Sequence, residues 1–388
     1  MGILANTVSI CQFRVVGEIP ATELFALASE SLGRHAFRSI DQGTAELSVG
    51  WVHTGNPQES AFAVPGDFWH DHYIAFSLRQ DRRKIPAALL KAYLQVAEHE
   101  FLAANPGYRK VPKQKKEELR ESVHNMLLAR TLPIPAVYDA VWDTRSNILS
   151  FTSLGRGTQE AFETLFRKSF PDLRLTAVHP FARAAEVVAD ELKPALLAAN
   201  RATSDTALDL IASNRWIGSD FLLWILFRTM TGSAEYRVCR PGPESPEVPF
   251  TAYLNDRLVL MSAGESGLQK VTVAGTQDRF SEVCTALRQG KGISEAAIIF
   301  EKGDELWKMT LKGEMFHFAS FKCPKVKEEK DNTVDAAAER EALFFERMAL
   351  LETGLQLFDS LFAQFLAIRL GQEWNGEAGE ILEWLATE

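Results

Sequence analysis

Between Arg79 and Leu132 the chain carries punctuation that leaves it little choice of local fold. Pro86 suits the first position of a helix, where a missing N–H costs nothing. Leu89, Leu90, Tyr93, Leu94, Val96, Ala97 and Phe101 then recur at helical spacing through residue 104. Asn105-Pro106-Gly107 stops that helix. Pro112 opens a second one, with Leu119, Val123, Met126 and Leu127 as its apolar stripe and an end near Arg130-Thr131-Leu132. Two helices on so short a connection predict an antiparallel helical hairpin.

Charge sets this segment apart. The chain holds 42 Lys and Arg against 51 Asp and Glu, a formal net charge of −9, so a basic cluster is not a by-product of composition. Arg79, Arg82, Arg83 and Lys84 lead into the first helix. Arg109, Lys110, Lys113, Lys115 and Lys116 crowd the connection and the first turn of the second helix, which Arg130 closes. Cations at a helix N-terminus oppose its dipole, at roughly a few tenths of a kcal/mol each. A start left so uncompensated hints that an anion arrives there. Such a patch can track phosphates without reading sequence; a solvated helix face is the plainer alternative. The acidic balance elsewhere excludes general polyanion coating, so any nucleic-acid contact must come from a local cationic surface or an enclosed channel.

The remainder predicts an α+β protein: antiparallel sheets, a protruding helical hairpin and a long C-terminal helical segment. Strands are expected at residues 7–16, 37–40, 46–52 and 72–78, with a helix over 21–32. A hairpin at 136–152, a helix from Thr158 to Phe170 and a strand at 173–178 follow. Residues 181–235 read as mainly helical, and Pro241-Gly242-Pro243 opens a non-helical connector. Strands at 250–262 and 268–274, a helix at 278–289, a meander at 293–322, a charged mobile loop at 325–331 and one long helix, or two in series, over 335–370 complete the chain. Four segments are expected: an N-terminal α+β unit (1–85), the basic hairpin (86–132), a second α+β unit with helices (133–240) and a C-terminal α+β domain (250–388). At 388 residues more than one core is required. No apolar run is long enough to span a bilayer, and Phe221-Leu222-Leu223-Trp224-Ile225-Leu226-Phe227 reads as a core element. Four scattered cysteines without a close pair fit a reducing, cytoplasmic setting and argue against structural zinc.

Other chemistry is thinly represented. His70-Asp71-His72 puts two imidazoles on one strand face but lacks a third metal ligand. A nuclease would need clustered carboxylates for Mg²⁺ and a nearby Lys; neither Asp172 nor the expected turn Glu301-Lys302-Gly303-Asp304-Glu305 supplies that pattern. Gly155-Arg156-Gly157-Thr158 precedes a helix without the P-loop lysine, and Thr158 suits an N-cap. Leu132 could pry between base steps; it reads more readily as a packing residue. Trp216, Trp224, Trp307, Trp374 and Trp384 follow no period and suit a core or interface better than a stacking array.

Taken together, several motifs resemble the bacterial recombination-associated RdgC family. Gly50-Trp51-Val52 matches its GWV strand, and the stretch from Arg79 through Arg83 to Pro86 its basic turn. Gly107 with the following cations matches the hairpin tip. Leu127-Leu128-Ala129-Arg130-Thr131-Leu132 is similar to its LLPRAF segment, with Ala129 and Leu132 replacing Pro and Phe. Trp142-Asp143, Leu165-Phe166-Arg167-Lys168-Ser169-Phe170 and the later Phe358-Asp359-Ser360-Leu361-Phe362 resemble further family segments, the last two its LLRKSL and FD-x-x-F. The likeness is consistent over residues 7–180 and rests on Gly290-Lys291 between 181 and 340. It implies a non-enzymatic, cofactor-free homodimer that closes a ring around duplex DNA without sequence preference. It also implies antagonism of RecA, nucleoid association and no membrane contact. By the same resemblance Lys270 and Lys291 join the DNA-binding set. A DNA nuclease and a protein–protein assembly module remain the alternatives.

Overall fold

The computed structural model describes residues 2–18, 23–43, 45–264, 267–275, 280–326 and 336–387. The helix starts expected at residues 21, 278 and 335, and positions 327–331 of the expected charged loop, lie outside the described residues. The chain runs β1 (Thr7–Val16), α1 (Leu24–Arg34), β2 (Leu47–Val52), β3 (Trp69–His70), β4 (Tyr73–Arg82), α2 (Ala87–Ala104), α3 (Lys113–Arg130) and β5 (Ile134–Asp143). Next come β6 (Ile148–Phe151), α4 (Arg156–Ser169), β7 (Arg174–Ala177), α5 (Pro180–Val187), α6 (Lys193–Ala199), α7 (Ala207–Ser213) and α8 (Trp216–Met230). The last part comprises β8 (Glu235–Arg237), β9 (Pro249–Gly264), β10 (Gly267–Val273), α9 (Ser281–Arg288), β11 (Gly292–Lys302), β12 (Glu305–Lys312), β13 (His317–Lys322), α10 (Ala336–Leu370) and α11 (Trp374–Thr387). This is an α+β protein with antiparallel strand pairing and the expected helical hairpin. No helix among the described residues is long and apolar enough to cross a membrane.

Contacts divide the chain into two compact units, each discontinuous in sequence: one of residues 1–17, 142–160 and 173–388, the other of residues 18–141 and 161–172. In the smaller unit β4 lies between β5 and β2. A central strand is covered on both faces, and residues 73–79 are all buried. Trp51 sets its ring edge-on to Phe76 at 5.1 Å and Phe162 at 5.6 Å. Its indole N–H donates to Ser169 Oγ at 2.7 Å. Two of the quoted motifs therefore meet in one core contact. Gly50 is needed because a Cβ there would stand 2.3 Å from Phe37 Cα. That close approach lets Phe37 N–H bond to Trp51 O at 2.9 Å and Trp51 N–H to His35 O at 3.0 Å.

Three local expectations change. Residues 37–40 form no strand, because the chain meets β2 through a single bridge at Ala36–Trp51 and then turns away. The strand expected to end at Leu78 continues to Arg82, since β2 pairs with it from Val52–Ser77 to Leu47–Arg82. Helix α4 begins at Arg156, with Thr158 N–H already bonded to Gly155 O, so Thr158 lies inside the first turn and is no N-cap.

In the larger unit the strands run β10-β9-β11-β12-β13-β1-β6, with β7 on β1 and β8 on β9. Helix α8 is the buried apolar block, with Phe221, Trp224 and Ile225 wholly enclosed. Phe221 packs against Phe358, Phe362 and Phe365 of α10 at 5.8, 5.1 and 5.3 Å. Asp359 accepts a two-pronged ion pair from Arg183, whose Nη1 also donates to Gln12 Oε1 at 2.7 Å. The Phe-Asp-x-x-Phe motif is thus a core device: its rings fill the interior and its carboxylate neutralises a buried guanidinium.

Candidate nucleic-acid interface

Helices α2 and α3 start behind prolines whose ψ of 132° (Pro86) and 148° (Pro112) keep them outside the helix. Neither start has a side-chain cap, and α3 has no acidic residue in its first turn. Asn105 ends α2 by donating its side-chain amide to Phe101 O at 2.8 Å. Its own carbonyl accepts the Tyr108 N–H at 3.1 Å, closing the turn over Pro106-Gly107. The connection is therefore held by hydrogen bonds, and it presents the cations that follow from a defined backbone.

The apolar face expected of α2 does not become core. No residue of α2 is buried, and Val96 is 56% exposed. Helix α3 buries only Val123, Leu127 and Leu128, all in its second half. Beyond it Leu132, expected to pack, is 80% exposed, and Ile134 is exposed as well. The stretch from Pro133 to Pro135 removes two backbone donors and keeps this corner extended and outside the interior.

The cations separate into distinct groups. Arg109, Lys110 and Lys113 are exposed and make no ion pair among the described residues. Lys115 pairs with Glu118 at 2.8 Å, one turn along, and Lys116 reaches Glu98 of α2 at 2.9 Å. From Asn105 to Lys116 the sequence holds five Lys and Arg and no carboxylate, so the tip stays positive despite these two pairs. Arg82, Lys84 and Arg130 are also exposed; Arg130 lies in the last turn of α3, where a cation complements the helix dipole.

Arg79 and Arg83 are not part of that surface. Arg79 forms a bidentate pair with Asp81, both bonds 2.8 Å, donates to Pro57 O at 2.7 Å and lies over the Phe37 ring at 4.2 Å. The Asp81 bond raises its already high pKa further. Arg83 is 5% exposed and donates to the carbonyls of Ile40, Asp41, Gly43 and Ala45, pinning the loop before β2. Charge and the likeness to the family's basic turn group both with the phosphate-binding cations. The structure places their guanidinium groups inside, because the longer β4 turns alternate residues inward.

Lys270 and Lys291 belong to the larger unit. Lys270 pairs across to Met261, which pairs in turn with Gly292, so the two lysines stand at one level of the sheet, two strands apart or about 10 Å. Lys291 follows a helix stop in which Gly290, at φ +81°, lets Gly290 N–H reach Leu287 O and Lys291 N–H reach Ala286 O. That accounts for the Gly-Lys pair as the end of α9.

Other candidate chemistry takes simpler form. His70 ends β3, Asp71 adopts φ +51° and His72 follows in the turn. The two imidazoles therefore flank a bend and do not share a strand face. Among the described residues no group of three or more His, Cys, Asp or Glu could hold a metal ion. Trp216, Trp224 and Trp307 are buried, as a core reading requires.

A family model described as "Putative exonuclease, RdgC" matches residues 11–207, just over half of the 388-residue chain. No curated protein matches. The matched span contains the Gly50-Trp51 strand, the whole hairpin and the Ser169 helix, whose contacts are described above. This chain belongs to the RdgC family, a family of recombination-associated DNA-binding proteins.

Proposed function

We propose that this protein binds duplex DNA without sequence preference, acting as a cytoplasmic, nucleoid-associated homodimer that encircles the duplex and obstructs RecA-dependent strand exchange, with no chemistry of its own. The observation that carries this reading is the hairpin tip: three exposed cations, without an ion pair among the described residues, on a hydrogen-bonded turn of a protein whose net charge is −9. Free cations neutralise phosphates and release counterions, and the acidic remainder repels polymer that is not held at the tip. The homodimer draws support from apolar side chains left in solvent, Leu89, Tyr93 and Val96 on α2 and Leu132 and Ile134 after α3. Arg109, Lys110 and Lys113 are the main phosphate contacts. Arg82, Lys84, Arg130, Lys115 and Lys116 are subsidiary, and Lys270 and Lys291 are weaker candidates on the larger unit.

A salt titration of duplex affinity tests this. Charge reversal of Arg109, Lys110 and Lys113 together should weaken binding to all sequences alike and lower the salt slope by about 3, near 0.9 per lost contact. An unchanged slope removes the hairpin from the interface. The family description also names an exonuclease, which predicts shortened strands when labelled duplex is incubated with Mg²⁺; stoichiometric strand loss would replace the binding reading. A pure assembly module predicts no mobility shift even at low salt.

A further inference from the structure

The hairpin tip carries one residue that phosphate binding does not use. Tyr108 lies between the Pro106-Gly107 turn and the first cation, and 52% of it is exposed. Tyrosine normally buries its ring and leaves only the hydroxyl wet. Here Phe101 supports the ring at a tilt of 46°, centroids 5.9 Å apart, and about half of the residue faces solvent. The backing is ordered: Phe101 O accepts the Asn105 side-chain amide, and Asn105 O accepts the Tyr108 N–H. The platform is therefore set before any ligand arrives. Arg109 and Lys110 follow directly, both exposed and unpaired among the described residues.

We propose that Tyr108 is a stacking platform for an unpaired base, with Arg109 and Lys110 taking the phosphates on either side of it. An aromatic face beside cations is the arrangement that holds single-stranded nucleic acid, because every base offers a π-face whatever its identity. Within an intact duplex the bases are already stacked and offer Tyr108 no face. The ligand class is accordingly a nucleotide in a gap, a frayed end or a single strand. The inference rests on the DNA-binding reading and adds a preference to it: duplex interrupted by unpaired bases binds more tightly than closed duplex.

The test compares the full-length protein with Tyr108→Ala and Tyr108→Phe on three labelled DNAs: closed duplex, the same duplex with a central single-stranded gap, and single strand. Tyr108→Ala should lose about tenfold in affinity for gapped and single-stranded DNA and less than about twofold for closed duplex. Tyr108→Phe keeps the π-face and should stay within about twofold of the natural protein on all three. A fluorescent base analogue in the gap should be quenched by the natural protein and by Tyr108→Phe, and not by Tyr108→Ala. Equal losses on gapped and closed DNA, no loss on either, or a change in solution mass with Tyr108→Ala, which would make the ring a protein contact, each overturns the platform. In those cases the natural protein still binds duplex. If the natural protein binds none of the three at low salt, the DNA-binding reading itself falls, and the two failures are told apart by that arm.

Discussion

The two ends of the basic stretch put similar residues to opposite use. At the end of β4, Arg79 and Arg83 turn inward and spend every donor direction that is paired on Asp81, Pro57 or the 40–45 loop carbonyls. At the hairpin tip, Arg109, Lys110 and Lys113 face water and pair with nothing described. The cause is the neighbourhood. Asp81 lies two residues beyond Arg79 on one strand face, so the pair is built into β4 and β-sheet burial closes over it. The tip has no carboxylate between Asn105 and Lys116 and no second layer above it. A cation with an inward-facing partner two residues away stabilises a fold. A cation without one on a protruding turn is available to a ligand.

The largest expected effect breaks the buried side of that contrast. Arg79→Ala leaves Asp81, 1% exposed, without its partner. Stranding one charge of a buried pair costs about 3–5 kcal/mol, read as a lower urea midpoint. Arg79→Met with Asp81→Leu removes both charges and should recover most of the loss. Persistent destabilisation in the double variant would mean that packing on Phe37, at 4.2 Å, matters more than charge. The exposed side should respond in the opposite sense: reversing Arg109, Lys110 and Lys113 should change stability by less than about 0.5 kcal/mol while costing about a hundredfold in duplex affinity at moderate salt. Comparable destabilisation from the two sets of substitutions would erase the distinction.

This contrast also marks how much of the molecule is legible in its sequence. The hairpin was legible because Pro86, Asn105-Pro106-Gly107 and Pro112 act within a few residues of themselves. The C-terminal helix was legible because its apolar residues persist over 35 positions. What remained hidden depends on a second chain segment. Residues 37–40 look like a strand, but the chain meets β2 only through the bridge at Ala36–Trp51 and then turns away. Arg79 and Arg83 read as surface cations when the strand is taken to stop at Leu78; the Arg-x-Asp alternation, which suits one face of a strand, is the sequence signal for their burial. Helicity of α2 followed from spacing, yet whether its apolar side meets a partner is a tertiary fact, and within this chain no residue of α2 is buried. Tyr108 could have been noticed from an aromatic between a turn and a basic run.

A third treatment of a cationic group sharpens the comparison. Burial, with Lys312 opposite it in register, pushes His317 down to about 4, so that it stays neutral at physiological pH. Its unfolded pKa lies near 6.5. Between those values the unfolded chain binds the extra proton, so stability is complete above about pH 6.5 and falls as pH drops toward 4. The expected loss is on the order of 1–2 kcal/mol after allowing for partial solvent access. His317→Gln should flatten that part of the melting-temperature profile. A profile unchanged by the substitution would show that other groups carry the acid sensitivity.

The smallest effect concerns the two lysines that stand between these extremes. Lys115 and Lys116 are half-exposed and each has a glutamate, Glu118 at 2.8 Å and Glu98 at 2.9 Å. Exposed pairs of this kind contribute about 0–1 kcal/mol, so they restrain these cations without consuming them. Glu98→Gln with Glu118→Gln should therefore cost under about 1 kcal/mol in stability. It should raise duplex affinity about threefold at low salt, an advantage that shrinks as the Debye length falls below the spacing of the charges. If affinity does not rise, phosphates do not pass Lys115 and Lys116, and Arg109, Lys110 and Lys113 are the whole cationic footprint at the hairpin tip.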